Sequence, residues 1–331
     1  MALMCSKAFS QGDCAQKLRL ARSTYEQGRL HDLPALLEEC LKGAFTTQEK
    51  EDAYKILTNA YIYLEEPDKA DETMLKLLQN NNEFQPNREV DPAEFVALYN
   101  TFRTKPIYRI GGKAGTNATQ PNVKSYSAIN DGSAKYNYRF GFQAAASAEI
   151  PIFQNKLTLN PELYFKILSF DYTSTYDLEN KSTTAIQTQN WISLPVSVQY
   201  EVYDGKYKPY VSAGVATDYL FGDQLKSVRT DKVNNSPVPD KTYDIKSQSN
   251  TLNLSAILSV GAKRKIGKGV AVAELRYYYG FSKITSGSNT FDNQNLIFDN
   301  QLVNGIYTLN SLSLSFGYLI NVYNPKKLVH K

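Results

Sequence analysis

Histidine, the side chain most often used as a general base, is almost missing from this sequence. The chain of 331 residues has two histidines, His31 and His330, one near each end, so the long stretch between them has no imidazole. A serine beside a lysine can replace histidine, but the lysines of the second half have plausible carboxylate partners, which favours structural pairing. We therefore expect a protein that is not an enzyme.

Metal and phosphate chemistry also find little support in the sequence. The acidic residues Asp292, Asp299 and Glu179 are scattered, without the spacing of a calcium-binding loop. The glycine run Gly111–Gly115 has the pattern of a strand, and no helix follows it, so it does not resemble a phosphate-binding loop. We expect no metal and no cofactor.

The first ten residues, 1–10, resemble the end of an export signal peptide. Ala8 and Ser10 occupy the positions of the small residues that precede a cleavage site, here before Gln11. An ordinary disordered terminus is one alternative. A lipid-modified Cys5 is another, although the residue before it is larger than lipoprotein signals normally accept.

Two cysteines remain after such a cleavage, Cys14 and Cys40. An even pair in an exported protein usually forms a disulfide, and these two lie near the start and the end of two helices that are predicted to pair. We expect a disulfide between them that staples the first helical hairpin.

The first hundred residues have the 3.6-residue apolar period of helices, in two units spaced by roughly 36 residues. The second unit, Ala53–Leu78, resembles a tetratricopeptide repeat (TPR), and the first, Leu18–Leu41, resembles it more loosely. A last helix is predicted with Asp91 as its cap and Pro92 in its first position. Residues 11–104 are therefore predicted to form a TPR-like helical domain whose concave face binds a partner.

Two tyrosines at equivalent positions of the two units, Tyr25 and Tyr61, are predicted to form the wall of that concave face. Arg22 and Asn59 are predicted to be polar surface residues beside them. All four are candidate partner-binding residues. Simple packing of the tyrosines in the helical core is the alternative.

Charge divides the chain into two parts. Residues 11–103 contain 11 Lys/Arg and 17 Asp/Glu, a net of −6, whereas residues 104–331 contain 25 and 16, a net of +9. The asymmetry indicates two different domains. The basic residues do not form a stripe along a helix, so we expect no binding of nucleic acid.

From Pro106 onward the apolar period changes to two, the period of β-strands, in eight segments that end with Leu312–Val322. The connections alternate between long loops and tight turns, as in a transmembrane barrel with external loops and periplasmic turns. A soluble barrel such as a lipocalin, the alternative, would bury its apolar face. We expect an eight-stranded antiparallel outer membrane β-barrel over residues 105–325. The predicted loops are 118–136, 170–188, 223–248 and 284–306, and the predicted turns are 154–156, 204–205 and 266–269.

The polar face of each strand must then point into the lumen, which eight strands leave just wide enough for their own side chains. Seven positive and five negative residues fall on this face, so they can largely pair into a salt-bridged plug rather than line an open pore. The predicted plug residues are Arg109, Lys113, Arg139, Glu149, Glu162, Lys166, Glu201, Lys208, Asp218, Lys263, Glu274 and Arg276.

Six motifs stand in order along the barrel: Arg109–Asn117 (RIGGKAGTN), Phe140–Phe153, Asn160–Tyr164 (NPELY), Ile192–Pro195 (ISLP), Lys208–Gly214 (KPYVSAG) and Glu274–Gly280 (ELRYYYG). They resemble the strand motifs of the PorT-like outer membrane β-barrel family of Bacteroidota, over residues 106–324. The resemblance implies the barrel fold. The family is named for a member linked to type IX secretion, but most members have no assigned activity. The chain departs from it by the helical domain and by a periplasmic basic tail, residues 326–331.

Two classes of function remain. In the first, a non-enzymatic barrel anchors the periplasmic helical domain, an adaptor that binds a periplasmic or outer membrane protein as an accessory subunit of an envelope or secretion complex. In the second, a surface receptor or transport accessory binds a ligand through the long loops. We favour the first, because a helical repeat domain needs a reason to be tethered. The loop tyrosines of the second class are Tyr126, Tyr136, Tyr172, Tyr176 and Tyr243.

An even number of strands places both ends of the barrel on one side of the membrane. Tight turns mark that side as periplasmic, so the helical domain and the C-terminus are both predicted to be periplasmic. The barrel wall is expected to contact outer membrane lipid, including lipopolysaccharide.

Overall fold

The computed structural model describes residues 11–126, 134–153, 156–176, 181–203, 205–231, 236–237, 241–286 and 291–328. They form two compact units. In the helical unit, residues up to Ile107 join those from Tyr323 onward, and the strand unit is Tyr108–Val322. The predicted signal peptide, residues 1–10, lies outside the described residues.

The helical unit begins with a hairpin stapled as the sequence predicts. Its helices are α1 (Gln11–Glu26), α2 (Leu33–Leu41), α3 (Thr47–Tyr63), α4 (Pro67–Asn80) and α5 (Ala93–Asn100). A disulfide joins Cys14 in α1 to Cys40 in α2, whose Cα atoms lie 5.7 Å apart, which confirms the predicted pairing. Gly28 between these helices has a φ of +75°, a left-handed conformation that glycine adopts without strain.

The third helix, α3, is the central element of the helical unit and contacts α1, α2, α4 and α5. A capping box starts it: the Glu49 N–H donates to the Thr46 hydroxyl at 3.2 Å, and the Thr46 N–H donates to the Glu49 carboxylate at 2.9 Å. Because neighbours surround it, α3 buries polar as well as apolar side chains. The buried residues of α3 are Ala53, Leu57, Thr58, Asn59 and Ala60.

The last helix of this unit, α5, starts one residue later than predicted, at Ala93 with Pro92 as its cap residue. The Asp91 carboxylate, predicted to be the cap, is engaged elsewhere. It forms an ion pair with Lys55 of α3 at 2.5 Å and accepts a hydrogen bond from the Asn87 N–H at 2.8 Å. Asp91 therefore ties the segment before α5 to the central helix.

The last described residues of the chain belong to the helical unit. Lys327 forms an isolated antiparallel bridge with Phe102, and the Leu328 N–H donates to the Thr101 carbonyl at 2.7 Å. The Lys327 ammonium also forms an ion pair with Asp71 of α4. The start of the basic tail is thus part of a folded unit.

The strand unit is a closed ring. Its elements are β1 (Tyr108–Ser125), β2 (Lys135–Phe153), β3 (Leu157–Tyr176), β4 (Lys181–Glu201), β5 (Tyr207–Asp231), β6 (Ser236–Pro237), β7 (Lys241–Asp244), β8 (Leu252–Ile266), β9 (Gly269–Gly280), α6 (Gln294–Asn300) and β10 (Ile306–Val322). Eight strands pair antiparallel in the order β4-β3-β2-β1-β10-β9-β8-β5, and β5 also pairs with β4. This ring confirms the predicted eight-stranded antiparallel barrel. The short strands β6 and β7 pair with β5 near the loop end.

The apolar face of the barrel wall points outward. On β10, Leu312, Leu314 and Phe316 are between 44% and 61% exposed. Ser313 and Ser315, which alternate with them, are buried in the interior. A soluble barrel has the reverse arrangement, so the outward apolar rows exclude the lipocalin-like alternative and require an apolar surrounding.

Two of the predicted long loops, 118–136 and 170–188, are mostly strand, so those predictions are wrong. β1 continues to Ser125, and β3 and β4 stay paired as far as Tyr176 and Lys181. At the loop end, the paired strands extend further along the chain than the rows of outward apolar residues do. The alternation of apolar residues therefore weakens in the sequence while the backbone pairing continues.

The opposite end of the barrel has the short connections. The predicted turn at 266–269 joins β8 to β9 and includes Gly267, whose φ is +55°. The other two predicted turns include residues 154, 155 and 204, which lie outside the described residues. β1 begins and β10 ends at this same end, because Tyr108 pairs with Val322.

Candidate partner-binding groove and barrel interior

Four charged side chains form a closed ring of ion pairs inside the barrel, which we call the charge ring: Lys113, Glu162, Arg276 and Glu274. Lys113 Nζ lies 2.8 Å from Glu162 Oε1 and 3.7 Å from Glu274 Oε2. Arg276 Nη2 lies 2.5 Å from Glu162 Oε2 and 2.7 Å from Glu274 Oε1. Each side chain thus has two partners of opposite charge, and all four are buried.

A second set of ion pairs leads from the interior towards the tight-turn end. Glu149 lies between Arg109, at 3.0 Å, and Lys263, at 2.8 Å. Glu201 lies 3.6 Å from Lys263 and 4.0 Å from Lys208, which is partly exposed. The interior charges are therefore compensated in a chain, as a buried set must be to avoid a large desolvation penalty.

Towards the loop end, Lys166 pairs with Asp218 at 3.2 Å and lies 3.8 Å from the ring centroid of Tyr278. Asn253 donates a hydrogen bond to the same aspartate at 3.0 Å. The cavity beside these residues measures only about 20 Å³, room for a single water molecule. The barrel is filled by its own side chains at this level.

Arg139 is the one predicted plug residue that the structure places outside the interior. Its side chain is half-exposed and pairs with the exposed Asp171 at 3.1 Å. The pairing of β2 with β3 is irregular between Tyr138 and Phe142, so the alternation that predicted an inward Arg139 is interrupted there. The other eleven predicted residues lie along the interior or at its tight-turn end.

Sequence reasoning missed the tyrosines that line the same interior. The Tyr210 hydroxyl donates to Glu274 at 2.7 Å, and Lys263 Nζ lies 4.9 Å from the Tyr210 ring centroid. Tyr164 is also buried, and its ring centroid lies 5.5 Å from the guanidinium carbon of Arg276. Both tyrosines are an even number of residues from inward charged residues of the same strand, so the alternation could have placed them in the interior.

The loop end of the barrel is closed by an apolar cluster, which we call the cap. Tyr136, Tyr172 and Tyr243, predicted to stand on ligand-binding loops, are buried in it, whereas Tyr126 is 47% exposed. The side chain of Tyr176 lies outside the described residues. The buried members of the cap are Ala134, Tyr136, Leu168, Phe170, Tyr172, Ala185, Trp191, Leu220, Leu225, Tyr243, Ile245, Ile284, Leu296, Leu302, Tyr307 and Leu309.

A buried carboxylate, Asp223, lies at the cap. It stands two residues beyond Phe221, the last exposed large apolar residue of β5, and so lies outside the band of outward apolar side chains around the barrel wall, which we call the apolar belt. Its oxygens accept hydrogen bonds from Gln187 at 2.9 Å, Gln189 at 2.8 Å and Ser249 at 2.7 Å. Burial raises the pKa of Asp223 to about 6, against the opposing effect of these hydrogen bonds.

The helical unit has an open groove of about 490 Å³ between α2, α3 and α4, which we call the α2–α4 groove. Apolar residues such as Tyr54 and Leu57 of α3 line it, and charged residues of α2 and α4 form its edges. Among these, Lys76 lies 2.6 Å from Glu72. The lining residues are Pro34, Glu38, Leu41, Lys42, Tyr54, Leu57, Tyr61, Lys69, Glu72, Thr73 and Lys76.

Of the four predicted partner-binding residues, Tyr61 alone lines this groove, with Lys69 Nζ 5.5 Å from its ring centroid. Tyr25 instead packs near Tyr63, with ring centroids 6.5 Å apart. Arg22 pairs with Asp52 of α3 at 2.5 Å on the surface.

The prediction that Asn59 is a surface residue is wrong, because only 7% of it is exposed. Its neighbours Thr58 and Ala60 are also buried, since α3 is covered on nearly all sides. The sequence of α3 has the pattern of a helix with one buried face, whereas in the structure other helices pack on several of its faces.

No helix of the described residues is long and apolar enough to cross a bilayer. Within the same part of the chain, no group of three or more His, Cys, Asp or Glu side chains is arranged to hold a metal ion.

A closed ring of strands with an apolar outer wall and an interior filled by paired charges defines a membrane-spanning β-barrel. The family model described as the outer membrane protein beta-barrel domain matches residues 103–286. The chain belongs to this family and is an outer membrane β-barrel protein.

Solved structures similar to this chain include other outer membrane proteins. Neisserial surface protein A is 14% identical, over 64% of this chain and 96% of that chain, with a TM-score of 0.31. OprG from Pseudomonas aeruginosa is 12% identical, over 66% and 97%, with a TM-score of 0.35. Ail of Yersinia pestis, in complex with the heparin analogue sucrose octasulfate, is 12% identical, over 64% and 99%, with a TM-score of 0.29. No curated protein matches the sequence significantly.

Proposed function

We propose that the barrel is a non-enzymatic anchor and that the helical unit is a periplasmic adaptor, which binds a protein partner as an accessory subunit of an envelope or secretion complex. The resemblance of the helices to tetratricopeptide repeats and of the barrel to the PorT-like family supports this proposal, and type IX secretion is the system that the family name suggests. The interior of the barrel supports an anchoring role, because paired charges and the cap fill it.

The observation that carries the proposal is the α2–α4 groove. It combines an apolar lining, including Tyr61, with charged edges, which is the composition of surfaces that bind peptides or helices. Its volume of about 490 Å³ accommodates several side chains of a partner. The predicted binding site thus moves from the pair of tyrosines Tyr25 and Tyr61 to Tyr61 and its neighbours on α2 and α4.

The proposed orientation follows from the barrel ends. Both connections to the helical unit leave the barrel at the tight-turn end, which is the periplasmic end in outer membrane barrels. A tag inserted at Asn234–Asn235, which lie outside the described residues, should be accessible to antibody on intact cells. A tag after Lys331 should become accessible only when the outer membrane is opened. The opposite labelling pattern rejects this orientation.

The adaptor role is tested by pull-down from native membranes in mild detergent, with partners quantified by mass spectrometry. In the variant Lys69→Glu/Lys76→Glu, two lysines on the α4 edge of the groove reverse their charge, and recovery of the partner should fall at least about fivefold, as expected for loss of one or two rim contacts. Lys17→Glu is the matched control, because Lys17 forms a similar exposed pair with Glu39 away from the groove. Heat-modifiable migration verifies that the barrel is folded in each variant.

Equal recovery by the groove variant and the control rejects the groove as the binding site. If partners are instead lost only when the external connections are shortened, the receptor interpretation replaces the adaptor. The burial of Tyr136, Tyr172 and Tyr243 in the cap argues against that interpretation, because these rings are not available to a ligand.

A further inference from the structure

The tight-turn end of the barrel carries a set of exposed cations, which we call the basic collar: Lys156, Lys206, Arg264, Lys265 and Lys268. They lie on three hairpins, at the connections β2–β3, β4–β5 and β8–β9, and all five are exposed. At the loop end, by contrast, exposed cations lie among exposed carboxylates: Arg139 pairs with Asp171 and Lys241 with Asp299.

The three hairpins are neighbours, so the collar is continuous. The Glu201 N–H donates to the Lys156 carbonyl at 3.0 Å, which joins the β2–β3 connection to β4. Tyr207 of β5 pairs in register with Arg264 of β8, which joins the β4–β5 connection to the β8–β9 hairpin. The collar therefore extends over the part of the rim formed by β3, β4, β5, β8 and β9.

The collar borders the apolar belt directly. Tyr200, Tyr207 and Tyr318 expose 44%, 55% and 42% of their surfaces at this end, and Ile266 within the β8–β9 turn is half exposed. Tyrosines at this level mark the boundary between the hydrocarbon and the headgroups of a bilayer. Cations immediately beyond them stand where lipid phosphates lie.

One cation of the collar, Arg264, is positioned by a tyrosine of this boundary, Tyr207. The guanidinium carbon of Arg264 lies 5.2 Å from the ring centroid of Tyr207, and its Nη1 donates to the Tyr207 hydroxyl at 3.1 Å. The stacked guanidinium keeps further N–H donors, which suit a phosphate oxygen.

The carboxylates that the structure describes at this end belong to the barrel interior. Glu149 and Glu201 lie in the interior, where they pair with Lys263. The sequence adds one acidic residue, Asp204, in the β4–β5 connection, against five cations. The outer face of this rim is therefore positively charged.

We propose that the basic collar binds the phosphate groups of anionic glycerophospholipids, such as phosphatidylglycerol, in the leaflet that contacts the tight-turn end of the barrel. The lipid tails pack on the apolar belt while Arg264, Lys206 and Lys268 bind the headgroup. This site is independent of the adaptor role, since it requires only that the barrel spans a bilayer.

The test uses the full-length protein in mild detergent, exchanged with equal amounts of phosphatidylglycerol and phosphatidylcholine, with bound lipid counted by native mass spectrometry. The wild type should retain phosphatidylglycerol preferentially, and added salt should weaken this preference. In Lys206→Glu/Arg264→Glu/Lys268→Glu the preference should fall at least about tenfold, because each cation near a lipid surface accounts for roughly a fivefold change in binding.

The matched control is Lys124→Glu/Lys283→Glu, which reverses exposed cations of the loop end and should retain the wild-type preference. Heat-modifiable migration identifies any variant that fails to fold, and Lys268→Glu alone then serves as the milder variant. Equal retention of phosphatidylglycerol by the collar variants and the control overturns the proposal. Stronger retention of lipid A than of phosphatidylglycerol by the wild type also overturns it, because the collar would then recognise the other leaflet.

Discussion

At the scale of single residues, the charge ring shows how carboxylates and cations fill a barrel of eight strands. Glu162 contacts both Lys113 and Arg276, at 2.8 and 2.5 Å, so it neutralises two buried cations at once. Removing one partner of a buried ion pair costs more than the pair contributes, because the remaining charge stays buried without compensation.

The substitution Glu162→Gln should therefore lower the free energy of unfolding by about 3–5 kcal/mol. Urea unfolding in detergent micelles, followed by heat-modifiable migration, measures this change. Asp171→Asn is the matched control, because Asp171 belongs to an exposed pair with Arg139 and should change stability by less than about 1 kcal/mol. Similar losses in both variants would show that the ring is not specially sensitive to a missing charge.

The buried carboxylate of Asp223 makes the cap sensitive to pH. Its pKa of about 6 in the folded protein exceeds the ordinary value of 3.8, because burial disfavours the charged form. A raised pKa stabilises the folded cap fully below pH 3.8, and this stabilisation is lost as the pH rises through 6. The difference between pH 4 and pH 8 amounts to about 2 kcal/mol, because the unfolded carboxyl is already partly ionised at pH 4.

Hydrogen exchange of the cap, corrected for the intrinsic effect of pH, should therefore show slower opening at pH 4 than at pH 8. Asp223→Asn should remove most of this dependence and slow the opening at pH 8, because the amide resembles the protonated acid. Asp292→Asn, an exposed acidic residue of the same end, serves as the control. The same pH profile in the Asp223 variant and the wild type would contradict the assignment.

At the scale of elements, the hairpin of α1 and α2 depends on its disulfide. Cys14 and Cys40 are separated by 26 residues, and closing a loop of that length restricts the unfolded chain by about 3 kcal/mol. Cys14→Ser/Cys40→Ser should therefore lower the stability of the helical unit by about that amount. Circular dichroism at 222 nm measures helix unfolding, and heat-modifiable migration of the barrel should not change. An unchanged helix transition would show that packing alone holds the hairpin.

The alternating sequence predicted the strands well within the apolar belt and poorly beyond it. Along β10 every outward residue from Leu312 to Ile320 is apolar or aromatic, because lipid surrounds this face, and only Leu319 on the inward face breaks the period of two. Near the loop end of β4, the inward residues Gln187 and Gln189 are polar and donate hydrogen bonds to Asp223. The outward residues at this level lie beyond the apolar belt and are not required to be apolar. No single polarity pattern can then identify a strand.

The candidate site residues show the same limit. The alternation of polar and apolar residues was sufficient to place the residues of the charge ring in the interior, because successive side chains of a strand point to opposite faces. It failed at Arg139, because the register irregularity between Tyr138 and Phe142 is not visible in the sequence. For Asn59, the helical period identified an inner face of α3, but the number of helices that pack on α3 is a property of the whole unit.

At the scale of the whole molecule, the interior predicts that the barrel does not conduct. The charge ring, the pair of Lys166 with Asp218 and the cap follow one another along its interior, and the cavity between them holds about one water molecule. Purified protein in planar bilayers should show no steady conductance, including at acidic pH, which protonates Asp223 and stabilises the cap. Large, stable channels would mean that the charged side chains line water.

The hydrogen bonds of the last residues have a consequence for the order in which the protein is completed during biosynthesis. Arg103 donates from its guanidinium to the Asn324 carbonyl at 2.7 Å, and 221 positions separate the two residues. The helices α1–α5 are therefore synthesised long before the segment after β10 that completes the helical unit. Until the last strand is synthesised, Asp71 and Thr101 lack their contacts with Lys327 and Leu328. The helical unit is thus synthesised before the strand unit but completed after it, by contacts that arise only once the segment following β10 has been made.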